Sequence, residues 1–562
     1  MQKLWICVLV LCAACGPKAR DEGGGDDDDG VPDVCPRCSA DNQSVIDCNG
    51  VETPCPLDMA CSEGACLNAC QAAEENHSSV GCEYYAVDMD AAQGPPQDAC
   101  YTVFVANTSR EQAHMTVEWN GAQIDLGKFA KLPVGTGQSL AYGTYDPNVG
   151  LAPGQVAIIF LAYAPALMNV ACPVPAAIGT AAQIPGTGTG FAFHLTTDLP
   201  VVAYQMLPYG GGAAAATGAS LLLPTSAWGD NYVAVSAYDG PAPPIPVAQG
   251  PSYNIVAKED ATTVTMRPKS NITAGGGLPA GMANQPYTFT LNKGQYAQIT
   301  QMSPLSGSPI SADKPIGVFG GHQIMSIDRC CGDHGEQMLA PVRALGSEYV
   351  AAPHPDRRAT PEPRLYRIFG AVDGTQLTYE PPNVGPAIVN LGEYHEIRTN
   401  APFVVRSQDT SHPFAMFTYM TGAGDETSDG NGDPDFVRLV PPLQYLSHYV
   451  FFTDPTYPFT YLTVVRKRHE GEFRDVDLKC LGTISGWQPV GASPDYEIAF
   501  VRLVDHWAGT STCNNGVQEM NSVGPFGVWV WGWGSGDTNT GWVSYGYPAG
   551  EGVLPINDVV IY

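Results

Sequence analysis

The feature that most constrains this chain is a strand-turn-strand phrase written three times. Its first half reads DLPVVAYQ from Asp198, DKPIGVFG from Asp313 and HPFAMFTY from His412. Its second half reads SLLLPTSAWGDNYV from Ser220, QMLAPVRALGSEYV from Gln337 and VRLVPPLQYLSHYV from Val437. Pro224, Pro341 and Pro441 hold equivalent places, and so do Tyr232, Tyr349 and Tyr449, with steps of 117 and then 100 residues. Such steps exceed solenoid and single-blade periods and match small domains. Upstream strands after a turn glycine (GQVAII at Gly154, GQYAQI at Gly294, GEYHEI at Gly392) extend the repeat. Thr262 to Arg267 alternates residue types with the period of a two-faced strand.

Each cycle therefore holds six or seven short strands. Units of that kind close as two-layer sandwiches, so the expected fold is all-β: tandem β-sandwich-like repeats of about 100–117 residues behind a small disulfide-rich segment. A β-propeller with two blades per cycle is the alternative. Helix is expected only as short turns near residues 70–76 and 225–229. The approximate units are 77–195, 196–310, 311–410 and 411–562.

The start, MQKLWICVLVLCAACGPKAR, reads as an export signal over residues 1–15. Its Cys-Ala-Ala-Cys-Gly ending resembles a bacterial lipoprotein box, with Cys15 as the lipid-bearing residue and Cys12 standing where such boxes carry Leu. Ordinary secretion is the alternative. Residues 16–34, with the run DEGGGDDDDG, form a solvated tether. Seven cysteines between Cys35 and Cys70 make residues 35–76 a disulfide segment, with Cys82 the nearest outside partner. Cys35 and Cys38 have zinc-knuckle spacing, yet no second pair completes a tetrahedral set, so disulfides are expected. Cys480 and Cys513 are the simplest distal pair. With 27 Lys and Arg against 56 Asp and Glu, a net charge of −29 repels nucleic acid and anionic lipid headgroups.

At GCEYYAVDMD from Gly81 and CYTVFVANTS from Cys100 the chain resembles the N-terminal domain of IgGFc-binding proteins. The resemblance continues through TDLPVVAYQ, ASLLLPTSAWGDNYV and CCGDHGEQMLAPVRALGSEYV to about residue 545. It implies a surface or extracellular binding role, and makes Asp333, His334, Glu336 and Gln337 structural residues of the fold, braced by an Asp-His hydrogen bond. It does not establish antibody binding.

The turns between the two halves of each phrase differ most, and form the natural binding surface if the units present one edge. In the second turn Cys330, Cys331, Asp333 and His334 have metal-ligand chemistry, with disulfides and a braced turn as the bland reading. In the third, Asp425, Asp429, Asn431, Asp433 and Asp435 alternate with glycines as calcium loops do, but lack a closing Glu, so a solvated acidic loop is preferred and no cofactor is required. Trp529, Trp531 and Trp533 share one strand face: ligand-facing if exposed, core otherwise. No GxSxG, HExxH or P-loop pattern is present. The expected function is a non-catalytic cell-surface binding or adhesion protein, held to the membrane by its N-terminal lipid and contacting an extracellular protein or glycan. An envelope spacer and a secreted hydrolase are the alternatives.

Overall fold

The computed structural model describes residues 35–211, 214–239, 249–328, 331–358, 361–423 and 430–562. Proline organises the array. The strands Phe193–Leu207, Pro309–Met325 and Gly516–Trp533 are unusually long, and each changes partners part-way. Residues 193–197 pair with Met115–Trp119, whereas 201–206 pair with Tyr101–Asn107. Residues 310–312 pair with Thr262–Met266, whereas 316–322 pair with Pro251–Ala257. Residues 516–521 pair with Leu446–Thr453, whereas 526–533 pair with Phe459–Lys467. The changeover falls at Pro200, Pro315 and Pro525, because a residue without an N–H cannot continue a central ladder. In the third unit an extra turn before Pro413 cuts the strand into Val404–Ser407 and Phe414–Met420, and two separate four-stranded sheets result.

The repeat is thus fourfold, and its fourth copy is one that sequence reading missed. VGPFGVWVW from Val523 is its first half and SYGYPAG from Ser544 its second. Three residues past each proline, a carbonyl accepts the N–H that leaves the returning strand. The bonds are Leu222 to Ala203, Leu339 to Val318, Leu439 to Met416 and Ala549 to Val528, at 2.8–2.9 Å. The recurrent tyrosines brace the same bend. Tyr84, Tyr232 and Tyr449 donate to the carbonyls of Val201, Ile316 and Phe526, which follow the prolines. The hydroxyls of Tyr232, Tyr349 and Tyr449 accept the N–H groups of Gly229, Gly346 and Leu446. Pro224, Pro341 and Pro441 in turn begin a short 3₁₀ turn each and lie against the glycine that opens the preceding unit. A Cβ on Gly81, Gly229 or Gly346 would fall 2.4–2.6 Å from the proline Cβ.

Strand pairing groups the units as Gly81–Leu221, Gly229–Met338, Glu348–Arg438 and Leu446–Pro548. The sequence boundaries at 195/196 and 310/311 fall inside the two long strands. Gly188–Phe191 crosses over to pair with Gln295–Thr300 of the second unit. The layers are sandwich-like rather than single-sheet blades. Four short inner strands, Gly218–Leu221, Asp333–Met338, Asp435–Arg438 and Ser544–Pro548, pack one against the next in a closed circuit. Gln337 spans this circuit, its Nε2 donating to the carbonyls of Ala219 and Gly546, both at 2.9 Å.

The ring is shut by the two ends of the array. Ser79 donates its N–H to the Glu551 carbonyl at 2.8 Å, and Val553 donates to that of His77 at 2.6 Å. Glu551 is 1% exposed and forms a two-pronged ion pair with Arg438, 4% exposed.

The Cys-rich segment is docked on this body. Disulfides join Cys35–Cys48, Cys38–Cys61, Cys55–Cys66 and Cys70–Cys82, so Cys35 and Cys38 belong to different bridges. Further bridges are Cys100–Cys172 and Cys480–Cys513. The helix Ala69–Asn76 is capped by the Asn68 side chain, and Arg110 reaches back to the carbonyls of Cys55 and Pro56. Among the described residues no helix is long and apolar enough to cross a membrane.

Removing one partner of the Arg438–Glu551 pair leaves a buried charge unmatched, which costs about 3–5 kcal/mol. Arg438→Ala is therefore expected to lower the urea midpoint strongly. The double variant Arg438→Met, Glu551→Leu should recover most of the loss.

Candidate binding face

Because every inner strand is reached by a turn from its long strand, the four turns gather at one end of the ring. Hydrogen bonds stitch them together. Gly422 of the third turn donates to the Ile327 carbonyl of the second at 3.2 Å, and Gly432 to the Gly534 carbonyl of the fourth at 2.9 Å. His334 N–H donates to the Ala216 carbonyl of the first turn at 3.3 Å. Gly211 donates to Thr456 Oγ1 of the fourth unit at 2.7 Å. The units do present one edge, as the sequence reading required of a common surface.

Trp542 stands out on this crown. It is 57% exposed and held at φ +66° on a turn where most apolar side chains are buried. On the same turn Asp537 accepts from His506 Nε2 at 3.0 Å, while His506 Nδ1 lies 2.6 Å from Asp505 Oδ1. These two carboxylates raise the imidazole above its ordinary pKa. The crown thus carries an exposed indole and, on the same turn, a carboxylate paired with His506.

The indoles singled out from sequence do not contribute to it. Trp529, Trp531 and Trp533 are at most 1% exposed, so the ligand-facing reading gives way to the core one. They pack into the core of the third unit: Trp529 Nε1 donates to the Arg438 carbonyl, Trp531 meets His354 edge-on, and Trp533 stacks on Tyr461 at 4.6 Å. A strand covered on both faces has no exposed row, and Val528 and Val530 fill its other side.

Of the acidic turn, Asp425 and Asp429 lie outside the described residues, as does Cys15. Asn431, Asp433 and Asp435 do not aim at one point. Asn431 Nδ2 donates to the Arg357 carbonyl, Asp433 Oδ1 accepts the N–H of Ala423 and Cys331, and Asp435 Oδ1 accepts that of Phe436. Asp433 and Asp435 are at most 1% exposed, where a solvated loop was expected. Among the described residues no group of three or more His, Cys, Asp or Glu could hold a metal ion.

Beneath the crown lies a layer of buried polar groups. Asp333, His334, Glu336 and Gln337 are each at most 1% exposed, in line with a structural role, but the expected Asp-His bond is absent. Asp333 Oδ2 instead accepts the Ser544 N–H at 3.2 Å and lies 3.1 Å from Ser544 Oγ. Burial lowers the pKa of His334 to about 4, opposed by its contacts with the Gln323 and His322 backbone. Glu336 accepts from Gln205 Nε2, yet burial still pushes its carboxyl well above the ordinary range. Cys331 is disulfide-bonded and so offers no thiolate. These groups join units rather than face a cavity.

With the ring and its crown in place, the class is that of a closed β-repeat body presenting turns. The IgGFc binding protein family model matches residues 218–532, more than half of the 562-residue chain, and the chain belongs to that family. The match begins at the inner strand of the first unit and ends in the long strand of the fourth. No curated protein gives a significant match.

Trp531→Ala is expected to cost about 3–5 kcal/mol. Trp542→Ala should change stability by no more than about 0.5 kcal/mol. Denaturant unfolding of both variants checks the assignment of buried and presented indoles.

Proposed function

We propose that this chain is an exported, non-catalytic binding protein, tethered through a lipid on Cys15, whose crown of turns engages an extracellular protein or glycan. Membership of a binding family gives the broad role. The observation that carries the finer reading is the crown itself: four stitched turns on a ring-closed scaffold, with Trp542 exposed on the turn that also carries Asp537. A rigid aromatic contributes contact area at little entropic cost, and its face suits a sugar ring or an apolar side chain. Disulfides throughout the chain suit an oxidising, extracytoplasmic setting. The strongly negative chain disfavours nucleic acid and anionic membrane surfaces as ligands.

Purified protein applied to glycan and surface-protein arrays should give reproducible hits, and Trp542→Ala should weaken them at least about tenfold, a typical interface anchor. An array without hits would favour the spacer reading. Palmitate fed to producing cells should label the wild type and not Cys15→Ala. An unlabelled wild type would leave secretion in place of anchoring.

A further inference from the structure

The junctions between units share a chemistry that binding alone does not explain: each of three holds a buried carboxyl without a dedicated cation. Between the first and second units Asp90, 3% exposed, accepts from Gly186 N–H at 2.8 Å and Gln323 Nε2 at 3.0 Å. Between the second and third, Asp433 is fully buried and binds Cys331 of one and Ala423 of the other, with its Oδ2 unpartnered. Between the fourth and first, fully buried Asp454 holds Thr456 through Oδ1, with its own Oδ2 unpartnered, and Thr456 receives the Gly211 N–H.

The groups facing these carboxyls do not neutralise them. Asp433 faces Asp333 and Asp435, each with an unpartnered oxygen, and one cation, Arg357. That guanidinium is already bound to Glu362, the Thr421 carbonyl and the Asn431 carbonyl. Asp90 faces the acid Asp98, and Asp454 faces the phenols of Tyr209, Tyr457 and Tyr545. An ionised carboxylate in such a place is costly, and holding a proton removes the cost. A resident cation is disfavoured, since the described side chains do not converge as a metal site requires.

We propose that the ring is proton-gated: in mild acid the junction carboxyls hold protons and the crown is closed, whereas in mild alkali they ionise, admit water and release the crown turns from one another. This device goes beyond the binding role and does not depend on it.

The sign follows from burial. It raises Asp433 to about 7 and both Asp90 and Asp454 to about 6. Asp333 and Asp435 go well above the ordinary range by burial, and Asp333 further by the charges of Asp433 and Asp435. In the unfolded chain all five lose their protons near pH ~4. Their contribution is complete below that value and is lost as pH rises through 6 to 7 and beyond. Burial drives His322 to about 3, His334 to about 4 and His354 to about 3. Those imidazoles favour higher pH, but only up to about 6.5, where the unfolded histidines become neutral. Above that point the carboxyls set the slope.

The test is hydrogen exchange on the full chain, expressed as protection factors, with equilibrium unfolding alongside. Between about pH 5 and about pH 8, each carboxyl protonated only in the folded state should lower the folding constant by up to about tenfold per pH unit, Asp90 and Asp454 levelling off near pH 6 and Asp433 near pH 7. Over the same interval the amides of Gly211, Ala423 and Gly432 should lose at least about tenfold in protection, while Leu222 and Leu339 in the inner circuit keep theirs. Asp433→Asn mimics the protonated acid and should flatten the response at Ala423. Asp454→Asn should do the same at Gly211, giving a second junction to examine if the first variant folds poorly. Flat protection in the wild type, or an unchanged slope in the variants, overturns the proposal. So does calcium-dependent, chelator-reversible stabilisation at the alkaline end, which would place a cation where protons are assigned.

Discussion

The structure depends on one missing hydrogen-bond donor. A proline in the middle of each long strand cannot pair, so the strand must leave one layer and enter the other at that residue. The carbonyl just beyond it receives a tyrosine hydroxyl, which fixes the bend, and the carbonyl three residues past the proline receives the returning chain. Three such strands, and the cut strand of the third unit returning past Pro413 by the same backbone bond, bring four short strands to a common centre. The phrase seen in the sequence is therefore a hinge between layers, and the ring follows from its repetition.

This explains what could be read in advance. Pro224, Pro341 and Pro441 and the paired tyrosines were legible because each opens a 3₁₀ turn packed on a glycine, or accepts a backbone N–H with its hydroxyl, at an equivalent place in every copy. The fourth copy escaped because Val-Gly-Pro stands where the others read Asp-Leu-Pro, Asp-Lys-Pro and Ser-His-Pro, and because SYGYPAG carries Gly546-Tyr547 where they carry Ala-Ser, Glu-Gln and Phe-Val. The crown could be placed from the variability of its turns, but Trp542 could not, since nothing adjacent in sequence marks an indole as presented. Trp529, Trp531 and Trp533 left both readings open: alternation shows that they share a face, while the identity of the covering sheet is long-range information. Asp433 and Asp435 looked like loop acids because glycine spacing encodes flexibility and says nothing of burial.

The molecule buries charge in two ways. At Glu362, burial works against ionisation, but His354, Arg357 and Arg364 outweigh it and hold the carboxyl down at about 2. At Asp433 the facing guanidinium of Arg357 is already taken, and burial prevails. The first arrangement is insensitive to physiological pH and locks the third unit internally. The second sits where units meet, so the junctions are the most condition-dependent part of the scaffold.

The Cys70–Cys82 bridge spans the stretch that shuts the ring. Traction arriving along the N-terminal segment passes from Cys70 directly to Cys82 through the sulfur atoms, and enters the body at the strand Gly81–Ala86. His77 and Ser79, whose backbone bonds to Val553 and Glu551 complete the circuit, lie on the slack side of that shunt. A load arriving that way is thereby kept off this backbone joint by a covalent bypass.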